Sequence, residues 1–275
     1  MFQRLFLAAL LSLLITPAFS QSFTHLKVEL LAEQASVQPG GSVTVGFHFR
    51  MQKDWHIYWQ NPGDSGQAPS ITWTLPDGFT AGDILWPTPQ RITLPSLADY
   101  GYTNETVLMV PIQAPANLKP GHFVRFSAHI RWLVCNEICI PGDMSFNVRL
   151  VVKNHKPKLN PRHEYLFQMA RHSLPSDMPE DWKVGGSVGK KEFHIGVDTG
   201  APVGKAATAF FAPLHPNQIE NAPAQLLKIS GGSIQLAVKK SDQLSQDVKS
   251  LDGILVVKDK KSTKGYNVSV PLSEE

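Results

Sequence analysis

The sequence predicts an all-β protein made of two β-sandwich domains joined by a Pro-rich linker with one short helix. Three observations lead there. Apolar and polar residues alternate with period 2 from Leu26 to Val152, and no 3.6-residue period is sustained. The alternation returns beyond Trp182. Between the two regions Pro157, Pro161, Pro175 and Pro179 bracket a stretch unlike either.

Residues 1–20 start with Arg4, run through an apolar stretch from Leu5 to Ile15 broken only by Ser12, and end with Pro17, Ala18 and Ser20. That is the pattern of a secretory signal peptide cleaved between Ser20 and Gln21; a membrane span needs about 20 apolar residues. No later segment is apolar enough to span a bilayer. The mature chain is therefore expected in an oxidising, extracytoplasmic space and is not itself membrane-spanning after cleavage.

The first strand is read over residues 26–31. After the turn Gln38-Pro39-Gly40-Gly41, residues Val43, Val45, Phe47 and Phe49 alternate with Thr44, Gly46, His48 and Arg50, which makes a second, half-buried strand. A third covers 55–59, and Ile71, Trp73 and Leu75 follow the Gly- and Pro-rich loop from Asn61 to Pro69. Further strands are read at 83–86, 106–112, 123–135 and 144–152. About eight or nine short strands with frequent turns indicate an antiparallel sandwich of immunoglobulin-like type over residues 21–153. The linker is assigned to 154–181, with a short helix from Arg162 to His172. A second, smaller β domain occupies 182–275, where Phe193-Ile195-Val197, Ile234-Leu236-Val238, Ile254-Val256 and Tyr266-Val268-Val270 alternate.

Composition narrows the function. The 275 residues hold 26 Lys plus Arg against 23 Asp plus Glu, with 18% charged and 42% hydrophobic residues. Such a chain folds; it is neither a disordered tail nor, with 21 Pro and 20 Gly lacking any repeat, a collagen-like sequence. The basic residues are dispersed, so no nucleic-acid footprint is present. Gly-x-Ser-x-Gly, Gly-x-Gly-x-x-Gly and P-loop motifs are absent, and no Ser-His-Asp set can be argued.

The informative residues are the two cysteines, in Trp132-Leu133-Val134-Cys135-Asn136-Glu137-Ile138-Cys139-Ile140-Pro141. In the strand before them Val124, Phe126, Ala128, Ile130, Trp132 and Val134 are apolar, while Arg125, Ser127, His129 and Arg131 are polar, so continued alternation puts Cys135 on the polar face. The apolar face resumes at Phe146, Val148 and Leu150. The pair thus spans a tight hairpin, where facing Cα atoms come within disulfide range.

A bridge across so short a loop contributes only about 2 kcal/mol in the chain-entropy account. A sandwich of about 130 residues buries enough apolar area to do without it. These arguments favour a reactive disulfide. The alternatives are a non-catalytic binding module or scaffold with a structural staple, and a copper-handling site in which Cys135, Cys139, His129 and Met144 supply soft ligands. Zinc fits poorly, since no second Cys or His pair stands nearby.

Four motifs in order carry a family resemblance. They are Asp54-Trp55-His56-Ile57-Tyr58-Trp59-Gln60-Asn61-Pro62-Gly63-Asp64-Ser65-Gly66, Trp86-Pro87-x-Pro89-x-Arg91, Tyr100-Gly101-Tyr102, and the cysteine segment itself. Together they resemble the N-terminal periplasmic region of the thiol:disulfide interchange protein DsbD family, closest to its ScsB (suppressor of copper sensitivity) branch. Phe210-Phe211-Ala212-Pro213 and Leu251-Asp252-Gly253-Ile254-Leu255 extend the likeness weakly into the second domain.

The resemblance implies a periplasmic, protein-disulfide reductase-like domain that exchanges dithiol for disulfide at Cys135 and Cys139, with Cys139 as the exchange-facing sulfur. It implies two kinds of partner: a membrane-embedded thiol electron donor on a separate chain, and thioredoxin-fold periplasmic proteins. No organic cofactor and no metal is implied. It also implies a cap over the disulfide, expected here as a removable segment from Leu97 to Tyr102 that includes Asp99, Tyr100, Gly101 and Tyr102, with Trp55 and Tyr58 as neighbours.

Overall fold

The computed structural model describes residues 25–202, 208–244 and 247–274. The signal peptide expected at residues 1–20 lies outside the described residues. The chain is all-β with two sandwich-like domains, and the first has two sheets.

One sheet contains β1 (Leu26–Ala32), β3 (Ser42–Met51), β6 (Thr80–Ala81) and β9 (Glu105–Gln113), in the order β1-β3-β9-β6. The other contains β2 (Ser36–Val37), β4 (His56–Gly63), β7 (Gln90–Leu94), β8 (Leu97–Thr103), β10 (Phe123–Cys135) and β11 (Cys139–Val152), in the order β2-β11-β10-β4-β8-β7, with β5 (Ser70–Thr74) also on β10. Alternate residues of the facing strands fill the space between the sheets: Phe47 and Phe49 from β3, Leu108 from β9, Ile130, Trp132 and Val134 from β10, Ile57 and Trp59 from β4.

Two expectations are corrected here. The segment 83–86 forms a single bridge, Leu85 to Met109, and no strand. The segment Leu97 to Tyr102 is no removable cover, because it is most of β8, a strand paired with β4 on one side and β7 on the other.

The helix expected in the connecting segment is α1 (Glu164–His172). It is docked on the first domain. Phe167 and Ala170, three residues apart and so on one helical face, are buried against Val107 and Met109 of β9. Arg171 grips Glu33 through two bonds, Nε to Oε1 at 3.0 Å and Nη2 to Oε2 at 2.5 Å. The Phe167 ring also lies over Gly46, and with Arg171 on Thr44 and Glu105 on His48 it leaves β3, read as half-buried, buried on both faces from Val43 to Phe49.

The second domain is one long sheet of β13 (Lys183–Val188), β14 (Glu192–Asp198), β15 (Thr208–Pro213), β16 (Leu226–Ser230), β17 (Ser233–Lys239), β18 (Ser250–Lys258) and β19 (Thr263–Glu274), in the order β15-β18-β19-β13-β14-β17-β16, with the short β12 (Ser176–Asp177) on β19. Its two halves enclose a core of Phe193, Ile195, Val197, Phe211, Leu236, Val238, Leu255 and Val270. At the end strand β15 the side-chain amide of Gln225 stands in for a neighbouring backbone: the amide N–H of Phe211 donates to Gln225 Oε1, and Gln225 Nε2 donates to the Phe211 carbonyl, both at 2.7 Å. The domains share apolar contact, since Ala212, Ile254 and Val256 belong to the same buried cluster as Trp59 and Tyr100.

No helix among the described residues is long and apolar enough to cross a membrane.

Candidate redox site

The β10–β11 ladder ends with Cys135 directly opposite Cys139, their Cα atoms 4.1 Å apart and their sulfurs bonded. Asn136 N donates to the Ile138 carbonyl at 3.0 Å and closes the three-residue connection. The two cysteines differ in access. Cys135 is 1% exposed, whereas Cys139 is exposed at the hairpin tip beside Ile138, itself 65% exposed.

Strand parity decides what surrounds them. Trp132 and Val134 point into the core, so Cys135 points to the opposite face of the sheet. Its cross-strand neighbour on β4 is His56. Continuing along β4, His56 and Tyr58 share the cysteine face while Ile57 and Trp59 enter the core. On β8 the register pairs Tyr58 with Gly101 and Ile57 with Tyr102, so Asp99 and Gly101 join the cysteine face, and Tyr100 and Tyr102 face the core.

The expected cap residues divide accordingly. Tyr100 and Tyr102 are 0% and 3% exposed and lie away from the disulfide. Tyr100 packs edge-on against Trp59 and stacks on Phe210, and the hydroxyl of Tyr102 donates to the Pro87 carbonyl at 2.8 Å. Burial pushes both phenols above the ordinary tyrosine pKa. Trp55 stacks on His25 with ring centres 3.9 Å apart and belongs to the core cluster. Gly101 sits where a Cβ would come within 2.1 Å of the Ile57 carbonyl oxygen, so the close β4–β8 pairing requires a glycine there.

Tyr58 and Asp99 do reach the site. The Tyr58 hydroxyl lies 3.7 Å from Cys139 Sγ and 3.5 Å from Ser65 Oγ. Ser65 Oγ donates to Asp99 Oδ2 at 2.8 Å, and Ser65 N donates to Asp99 Oδ1 at 3.0 Å. His56 Nε2 stands 3.7 Å from Asp99 Oδ2 with no hydrogen-bond partner among the described residues. A polar chain therefore runs from the sulfur of the exposed Cys139 through Tyr58 and Ser65 to a carboxylate that is 0% exposed. Burial, together with the Asp99 charge, raises the Tyr58 phenol pKa and outweighs the opposing Ser65 bond. The phenol thus stays protonated and available as a donor beside the sulfur.

His56 and Ser65 were not singled out by sequence reasoning, although both stand within the 54–66 motif. Parity held a usable signal, because His56 and Tyr58 are two apart on one strand and so share a face. Gly66 completes the arrangement. It adopts φ +72°, and a Cβ there would fall 2.0 Å from the Tyr58 ring, so only a glycine lets the loop lie on that ring.

Among the described residues no group of three or more His, Cys, Asp or Glu is placed to hold a metal ion.

Residues 27–149 match the family described as "Thiol:disulfide interchange protein DsbD, N-terminal". Among solved structures, the N-terminal periplasmic domain of ScsB from Proteus mirabilis superposes with a TM-score of 0.67 at 18% identity, over 90% of this chain and 94% of that one. Spo0M, a sporulation control protein from Bacillus subtilis, follows at a TM-score of 0.26 and 10% identity, over 90% of this chain and 91% of that one. The pilin subunit BcpA of Bacillus cereus follows at 0.28 and 8% identity, over 90% and 69%. A search of curated protein sequences gave no match. Residues 27–149 are thus similar to the DsbD N-terminal thiol:disulfide interchange family, and the chain has the fold of the ScsB N-terminal periplasmic domain.

Proposed function

We propose that this chain is a periplasmic thiol–disulfide exchange protein. It passes reducing equivalents between a membrane-embedded donor and thioredoxin-fold periplasmic proteins, through Cys135 and Cys139 in a redox domain spanning 21–153. The observation that carries the reading is the asymmetry of the disulfide, one sulfur on a buried residue and the other on an exposed residue at a hairpin tip. In a structural staple neither sulfur needs to be reachable.

The exchange is written as two displacements. A donor thiolate attacks Cys139 Sγ; the new donor–Cys139 disulfide forms as the Cys139–Cys135 bond breaks, and Cys135 leaves as a thiolate that takes up a proton. The donor's second thiolate then attacks its own sulfur in the mixed disulfide and releases Cys139 as a thiolate. Two electrons have moved to this chain and the donor is left as a disulfide. Reduction of a thioredoxin-fold acceptor runs the same steps in reverse, with Cys139 as the attacking thiolate. The protonated Tyr58 hydroxyl supports that role because it can donate to the Cys139 thiolate.

Trapping tests the reading. With Cys135→Ala, the mixed disulfide formed at Cys139 cannot be resolved from within, so a thioredoxin-fold periplasmic protein should be captured as a covalent adduct, cleared by dithiothreitol. If neither single-cysteine variant captures such a protein, the exchange function is wrong.

A further inference from the structure

We propose that the second domain is a positioning element for the redox site: Asn221 and the Pro213 carbonyl clamp the Asn61–Gly66 loop, which in turn holds Tyr58 against Cys139.

The loop needs such a clamp. The β4–β8 ladder is irregular between Tyr58 and Gly63, so regular strand pairing does not fix the residues between them. Asn61 within that stretch is held by a side-chain bond, and Asp64 just beyond it by side-chain bonds added to its own N–H donation to the Ala98 carbonyl at 3.2 Å. Asn61, 3% exposed, donates through Nδ2 to the carbonyl of Pro213 at 2.8 Å. Asp64 accepts from Ala98 N through Oδ2 at 2.8 Å and from Asn221 Nδ2 through Oδ1 at 2.9 Å. Two of these three side-chain bonds reach the second domain, more than 150 residues along the chain.

The clamping side is itself anchored. Nη2 of Arg91 on β7 donates to three successive carbonyls, those of Asn221 at 2.6 Å, Ala222 at 3.1 Å and Pro223 at 3.1 Å. Ile219 is buried in the second domain's core. Asn221 is thus fixed at both flanks, and its side chain is 8% exposed as a residue.

Transmission to the sulfur is short. Ser65 and Gly66 directly follow Asp64; Ser65 Oγ meets the Tyr58 hydroxyl, and Gly66 lies on the Tyr58 ring. Releasing Asp64 loosens both contacts and frees Tyr58 to leave the Cys139 sulfur. Exchange rate depends on access to the attacked sulfur, so a released loop should make the disulfide easier to reduce. The inference rests on Cys139 being the attacked sulfur.

The test is the rate at which dithiothreitol reduces the oxidised mature protein. Asn221→Ala should raise it by about threefold or more while the thermal melt shows a folded protein. Asp64→Ser, which cuts the same bond from the other domain, should act in the same direction and keeps the test alive if Asn221→Ala fails to fold. Lys228→Ala, on the far strand β16, should leave the rate unchanged. The decisive arm is a double-mutant cycle: in a Tyr58→Phe background the effect of Asn221→Ala should shrink below about 1.5-fold, as for residues acting through one another. A rate that does not rise in folded Asn221→Ala and Asp64→Ser, or a rise that persists undiminished with Tyr58→Phe, overturns the clamp. Neither result bears on adduct trapping, so the clamp and the exchange function can fail separately.

Discussion

The Tyr58 hydroxyl lies 3.7 Å from Cys139 Sγ although 81 residues separate the two in sequence. Strand pairing brings them together: β10 sets the cysteine at the end of its hairpin, and β4, beside β10, carries the tyrosine on the same face.

From the difference in exposure between the cysteines, the two thiols of the reduced protein should react unequally. Brief iodoacetamide treatment followed by peptide mass spectrometry should find Cys139 alkylated at least about tenfold faster than Cys135. Equal rates would mean that Cys135 becomes accessible on reduction, and the one-sided attack at Cys139 would lose its basis.

Removing the bridge should cost little stability. It closes a sequence separation of 4 between strands already paired by a long ladder. Denaturant unfolding of the Cys135→Ala/Cys139→Ala protein should show a loss of about 2 kcal/mol or less. A loss above about 4 kcal/mol, at the top of the range measured for native disulfides, would point to a structural staple.

The tyrosines should titrate unevenly. Burial raises the phenol pKa of Tyr58, Tyr100 and Tyr102 above the ordinary value of 10.0. These three should titrate at higher pH in the native protein than in denaturant, read from the phenolate absorbance. A Tyr58→Phe variant should lose a component that lies above the ordinary tyrosine range in the native titration, and loss of an ordinary component instead would remove Tyr58 from the three.

Gly101→Ala should damage the fold itself. The added Cβ would meet a backbone oxygen, which cannot swing aside as a flexible side chain can. The expected loss exceeds about 3 kcal/mol, read as a fall in denaturation midpoint, with separation of β4 from β8 as its cause. An alanine tolerated within about 1 kcal/mol would mean that the two strands can pair at a wider spacing.

Much of this architecture can be read from residues alone, and the exceptions have physical causes. The strand 123–135 is legible to the residue because Val124, Phe126, Ala128, Ile130, Trp132 and Val134 alternate without a break. Strand β8 is harder to see. Ala98, Tyr100 and Tyr102 alternate as well, but Asp99 and Gly101 between them carry turn chemistry. A carboxylate fully buried on a strand is costly unless hydrogen-bonded; the partners of Asp99 lie 34 residues earlier, on Ser65, in a loop whose course no local pattern predicts. The same limit hid Ser65 from the site. Strand β3 shows the converse, since its polar face is covered by groups distant in sequence: Phe167 on Gly46, Arg171 on Thr44 and Glu105 on His48.

The amide of Gln225 has a consequence for how this protein behaves in a crowded compartment. An end strand such as β15 presents unpaired N–H and C=O groups, a template on which a strand of another molecule can add and start an aggregate. At Phe211 both groups are already engaged by one side chain. The ladder is closed at the middle of its edge, and a foreign strand would have to displace that amide before it could extend the sheet.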